Sequence, residues 1–193
     1  MSSDPAAFMR TVSQRPSRSR PDYDGSYERK TNEPGREMMH KAAVYGTAVV
    51  LLATATNLLH AVSHAGQGVL SLEAWQWAYV AGVIFVSPAV AAAMLWTRYR
   101  LAGAWLLLAS MVGSLVFEFA YHFLIEGPDN VFTLEQGAWL VPFRVSSALL
   151  IAASGLGSLV GGWVVVVLSR SGAGTPSTAR DARPRRASRT EVR

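Results

Sequence analysis

Between residues 42 and 168 the chain carries eight charged side chains in 127 positions, three Arg and five acids. A soluble domain of ordinary composition is about one-quarter charged. One water-soluble domain is therefore excluded, and so is a fully disordered chain. The charge is concentrated at the two ends instead. Residues 1–41 hold eight basic and six acidic groups, and residues 169–193 hold seven basic and two acidic.

The apolar stretch divides into four segments, at about 42–63, 74–97, 101–125 and 137–168. Each reaches the roughly 20 residues that a helix needs to cross a hydrocarbon layer about 30 Å thick. Lipid cannot satisfy backbone donors and acceptors, so these spans are expected as α-helices, and the alternation of barrel strands is absent. The expected fold is an all-α integral membrane protein. A four-transmembrane-helix bundle at 39–168 lies between disordered cytoplasmic tails, 1–38 and 169–193, which lack the apolar content to bury a core. The fourth segment is longer than a span requires, which tilt accommodates, and Pro142 falls near its start, where a helix tolerates proline. Ser87-Pro88 predicts a kink in the second. Ala53-Thr54-Ala55 has the small residues of a signal-peptide cleavage site, but the hydrophilic region before it, some 40 residues long, is too long for a secretory leader.

Orientation follows from the charges. The two tails and the turn Arg98-Tyr99-Arg100 hold 17 of the 18 basic residues. The loops at 64–73 and 126–136 hold no Lys or Arg, but contain Glu73, Glu126, Asp129 and Glu135. The positive-inside rule then places both termini in the cytoplasm and both acidic loops outside the plasma membrane. Trp75, Trp77, Tyr79 and Trp139 flank the outer ends of the spans, and Trp96, Tyr99 and Trp105 flank the inner turn. A pI near 10 is here a property of the tails, whose Arg groups favour anionic lipid by about 1 kcal/mol each. The partner it implies is the bilayer, and no nucleic acid is expected.

The absence of cysteine removes thiol catalysis, thiolate-held iron–sulfur clusters and cysteine-type zinc sites. No nucleotide-binding, hydrolase or zincin motif occurs, and the histidine pair of the first span lacks the Glu of His-Glu-x-x-His. What remains is a small set of polar residues inside the spans, where ionisable groups are costly and point to function. The first span carries Asn57, His60 and His64 at i, i+3 and i+7, on one helix face. The third carries Ser110, Ser114, Glu118 and His122 in an i+4 stripe, and the fourth carries Arg144 and Ser147. Counting about 1.5 Å per residue, His64 and His122 are expected near the outer interface, with His60 and Glu118 one turn deeper. Arg144 is expected level with Glu118, as an ion pair or as a partner for a bound anion.

This convergence predicts a cofactor site formed by Asn57, His60, His64, Glu118, His122 and Arg144. Its metal ligands would be His60, His64, Glu118 and His122. Imidazole and carboxylate suit a first-row transition metal. Alternatively, His60 or His64 could face His122 across a b-type haem, with Arg144 on a propionate. The Glu-x-x-His spacing of helical di-iron sites is not matched, since Glu118 and His122 are i+4. A second class of function is a non-catalytic accessory or scaffold subunit in which the same residues only lock the bundle. A third is a small transporter, for which neither repeats nor broken helices beyond Ser87-Pro88 are visible. Span 4 also carries small residues in register, Ser154, Ser158 and Gly162 and the pair Gly157 and Gly161. Such stripes allow close helix approach, within the bundle or toward a homo-oligomer or membrane-complex partner.

The topology is tested by labelling. A cysteine introduced at Gly127 should react with an impermeant reagent on intact cells, whereas a reporter fused after Arg170 should register inside. A C-terminus accessible from outside would overturn this orientation.

Overall fold

Helices supply all the regular secondary structure of the computed structural model, which describes residues 26–69 and 72–173. α1 is Ser26–Gln67, α2 is Ala74–Leu95, α3 is Arg100–Leu124 and α4 is Leu140–Ala173. Four helices are long and apolar enough to cross a membrane, with mean hydropathies of 1.6 to 2.0 over their most apolar windows. No strand occurs among the described residues. The described residues from Gly35 to Ala173 form one compact unit.

The helix bounds reproduce the four expected spans, with two differences. α1 starts at Ser26 and α4 runs to Ala173, so residues 26–38 and 169–173, expected in the disordered tails, are helical. Near the start of α1 the exposed pair Glu37–Lys41, 2.7 Å apart, has the i,i+4 spacing that supports a helix. The remaining parts of both tails, residues 1–25 and 174–193, lie outside the described residues. α4 begins at Leu140, so Pro142 occupies its first turn, where the missing N–H has no helical acceptor in any case.

Two helices contain a wider π turn. In α2 it covers Val80–Val86 and ends at Ser87-Pro88. The Ser87 hydroxyl donates to the Gly82 carbonyl at 2.7 Å, satisfying an acceptor within the widened turn. The kink expected there thus takes the form of a π segment. In α3 the π turn covers Ala120–Leu124 and contains His122. Such turns are rare and frequently sit at functional sites.

The bundle has two chemically different halves. One is a core of Ala42, Ala43, Val50, Ala53, Ala91, Leu95, Ala104, Leu107, Met111, Val164, Val165 and Leu168. Five of these twelve are Ala, and the backbones approach closely beside them. At Gly161, a Cβ would lie 3.0 Å from the Leu108 Cα and 3.2 Å from its N, so α3 and α4 meet nearly backbone to backbone. Gly157 meets the Met111 side chain in the same way, whereas Gly162 faces open space. Gly157, Gly161 and the buried Ser154, three residues of the small-residue stripe, are therefore used inside the bundle. The other half, toward the ends of α1 and α3 and the start of α4, contains the buried polar residues His60, Ser63, Glu118, His122, Ser146, Ser147 and Ser154. The outward surface is apolar, with Leu51, Leu58, Leu59, Val62, Val116, Val141 and Leu159 all exposed.

Gly161→Ala and Gly162→Ala separate packing from helix propensity, since both gain the same intrinsic preference of up to about 1 kcal/mol. Gly161→Ala should lower the melting temperature in detergent, with an overpacking cost of about 1–3 kcal/mol. Gly162→Ala should leave it unchanged or raise it. Equal responses would show that α3 and α4 do not meet at Gly161.

Candidate metal centre

Three imidazoles converge where α1 and α3 approach the first turns of α4. His60 is 5% exposed and His122 6%, and one ring nitrogen from each of His60, His64 and His122 lies within 4.8 Å of the other two. The local sequence explains the arrangement. His60 and His64 are one turn apart on α1, so their rings stack edge to face, 4.5 Å between centroids. His122 reaches the same point from the π turn of α3, 4.6 Å from the His60 ring and 5.7 Å from that of His64. Phe143, fully buried on α4, packs against all three rings at 5.0, 4.9 and 5.8 Å.

The hydrogen bonds define the proton positions of the neutral cluster. His122 Nδ1 lies 3.0 Å from the Asp129 carbonyl, which only accepts, so this nitrogen carries the proton and Nε2 is a lone pair. His60 Nε2, 3.0 Å from His122 Nε2, must then donate to it. His60 Nδ1 in turn accepts from the Ser146 hydroxyl at 2.9 Å. Ser146 has two further neighbours, the Phe143 carbonyl at 3.0 Å and Ser63 Oγ at 3.2 Å. Rotating this hydroxyl lets Ser146 accept from His60 Nδ1–H instead, which frees His60 Nε2 as a second lone pair directed at the same point. The serine holds His60 in either tautomer, the role of an outer partner that orients a metal-ligating imidazole.

The loop after α3 folds over this cluster. Val131 N donates to the His122 carbonyl at 3.0 Å, Asn130 Nδ2 donates to the Ile125 carbonyl at 3.0 Å, and Asp129, Asn130 and Val131 are buried. Asp129 Oδ1 thereby comes to 3.5 Å from His64 Nδ1. Neither atom has a hydrogen-bond partner, and the same is true of Glu118 Oε1. Burial pushes the Asp129 carboxyl up to about 6, and a cation beside it would draw that value back down.

His60, His64, His122, Asn57, Glu118 and Asp129 line one cavity of about 140 Å³ whose remaining wall includes Trp77, Val80, Ile84, Phe117 and Leu150. Five of the six residues expected in the site are thus brought together. Arg144 is not. Its Nε donates to the Val131 carbonyl at 2.8 Å, so it pins the covering loop to α4 from an exposed position. The expected Glu118–Arg144 pair does not form, because Glu118 Oε2 accepts from Ser154 at 2.7 Å. Ser154 lies ten residues after Arg144, or about 15 Å along the helix. The expected levels shift accordingly: His60 is opposite His122, His64 is opposite Asp129, and Glu118 lies deeper and outside the three-imidazole group.

Asp129, Ser146, Ser154 and Phe143 were missed as site residues by sequence reasoning. Ser146 and Ser154 look like the other small residues of span 4, and Phe143 looks like core. Asp129 lies in a loop whose inward fold no helical periodicity announces. Compared with protein-family models, with curated proteins and with solved structures, the chain matches none.

Double-mutant cycles distinguish the two partners of Glu118. Glu118→Gln and Arg144→Gln should destabilise the bundle additively, within about 0.5 kcal/mol. Glu118→Gln and Ser154→Ala should couple by about 0.5–3 kcal/mol, the range for residues in contact. Strong coupling in the first cycle, measured by thermal unfolding in detergent, would restore the ion pair.

Proposed function

We propose that this chain is a multi-pass plasma-membrane protein, termini inside, that binds one first-row divalent metal ion through His60, His64 and His122. The observation that carries this reading is the three-imidazole cluster facing a cavity that also contains two buried carboxylates with unpartnered oxygens. A lone divalent ion is costly to bury. Ionised Asp129, whose Oδ1 lies 3.5 Å from His64 Nδ1, offsets part of that charge and gains the partner it lacks, and Glu118 on the wall of the same cavity adds a second acid. Imidazole nitrogens suit zinc, copper, iron and nickel, and three protein ligands leave an open position toward the cavity. Ligation at about 2.0–2.1 Å in a tetrahedron needs nitrogens about 3.3 Å apart. The 3.0 Å between His60 and His122 is close to that value, and the widest separation, within 4.8 Å, closes by side-chain rotation.

The geometry favours an ion over haem. Axial imidazoles must face each other from opposite sides of a porphyrin, whereas the His60 and His122 nitrogens are in hydrogen-bond contact. Ligands of that size also occupy roughly 300–1,000 Å³, against about 140 Å³ here. A second reading, a scaffold subunit, is supported by the closed chain Ser146–His60–His122–Asp129, which satisfies four ring nitrogens and their partners without any ion.

Elemental analysis and Co²⁺ titration of the purified protein decide between them. The metal reading expects stoichiometric binding at pH 7–8 that is lost only in distinctly acid solution, because protons compete for the ligand nitrogens and burial disfavours the charged imidazolium. His122→Ala should abolish binding. His40→Ala, an exposed histidine against Trp96 far along α1, should bind as wild type does. Wild-type protein that neither carries nor takes up metal would leave the scaffold reading.

A further inference from the structure

The cavity around the histidines has a neighbour. A second cavity, of about 190 Å³, is lined by Gln76, Tyr121, Ile125, Glu126, Gly127, Pro128 and Asp129. Tyr121 and Asp129 line both. Glu126 is exposed at the far side, and Asp129, 8% exposed, sits between the two spaces with Oδ1 unpartnered. That oxygen is also 3.5 Å from His64 Nδ1. A carboxylate at the surface, a buried carboxylate at the junction and an imidazole cluster behind it form a graded series of groups that attract a cation. Past Glu118 and Ser154 the series stops, because the interior there is the Ala, Leu and Val core.

We propose that divalent cations reach the histidine cluster from the loop face, through the cavity of Glu126, and that Asp129 hands them from that cavity to His64. The route is a cul-de-sac: the ion enters and leaves by the same face and does not cross the bundle. This rests on the metal reading above and adds to it the direction and the residues of exchange. Glu126 raises the local cation concentration at the mouth without ligating the bound ion. The unpartnered Asp129 Oδ1 takes the cation in place of one of its water ligands and passes it on when the imidazoles close around it. Capture by Asp129 exchanges a water oxygen for a carboxylate oxygen, and transfer to His64 exchanges that oxygen for a ring nitrogen, with no change of oxidation state.

Stopped-flow loading of the purified full-length protein with Co²⁺, followed by its visible absorption, tests the route. Glu126→Gln should slow loading roughly tenfold at low salt, the scale of electrostatic focusing. Its final stoichiometry and spectrum should remain wild type, and added salt should shrink the difference. Asp129→Asn should slow both loading and release to a chelator. Glu135→Gln is the control. It removes the same charge from the loop face, but at a residue that lines a different cavity, and should load at the wild-type rate. Wild-type loading by Glu126→Gln would overturn the route while leaving the metal site standing, as would equal slowing by Glu135→Gln. An altered spectrum in Glu126→Gln would make Glu126 a ligand and likewise overturn the proposal. A wild-type protein that takes up no Co²⁺ would remove the metal reading itself.

Discussion

Two histidine rings held nitrogen to nitrogen at 3.0 Å, in an otherwise apolar bundle, organise one half of this molecule. Polar groups removed from water need partners, and the cost of leaving one bare rises as the surroundings become less polar. His60 and His122 therefore draw a chain of partners around themselves. Ser146 comes from α4, and the Asp129 carbonyl comes from the loop between α3 and α4. Satisfying two rings thereby joins three helices and one connection. The loop is anchored a second time by Arg144, which holds the Val131 carbonyl at 2.8 Å.

The opposite half follows a different logic. In the proposed membrane setting, helices of similar apolar content gain little from burial against lipid, so close packing has to hold them together. That explains the alanines set among the Val, Leu and Met side chains of the core, and the near contact of backbones at Gly161 and Leu108. Many large apolar residues are turned outward, the surface that the proposed membrane setting calls for. The division of labour is physical. One half supplies rigid packing, and the polar half, with its π turns, supplies side chains that face a cavity.

Charge balance links the two readings of the polar half. Without an ion the imidazole chain is closed, but oxygens of Glu118 and Asp129 and a nitrogen of His64 are left bare. Buried groups of this kind are uncommon and call for an explanation. An ion coordinated by the imidazoles supplies one, since it meets the unpaired carboxylates with compensating charge. The scaffold reading accounts for the hydrogen-bond chain but leaves those three atoms without a role.

The four long apolar helices and the facing of Asn57, His60 and His64 were legible in the sequence, because each depends on properties local to one helix. Length, hydropathy and a period of 3.6 residues are enough for that. The same local rules identified the three histidines as one cluster. What a count along separate helices cannot supply is the height of one helix against another. The loop from Ile125 to Trp139 folds inward, placing Ser154 beside Glu118 and leaving Arg144 above, at the loop. Asp129 became a site residue by the same fold, since its burial is imposed by contacts made far from it in sequence. Composition and periodicity determined the bundle and the side chains able to hold a metal. Tertiary packing alone decided which of them meet, because the partners of a buried polar group are chosen by space and not by register.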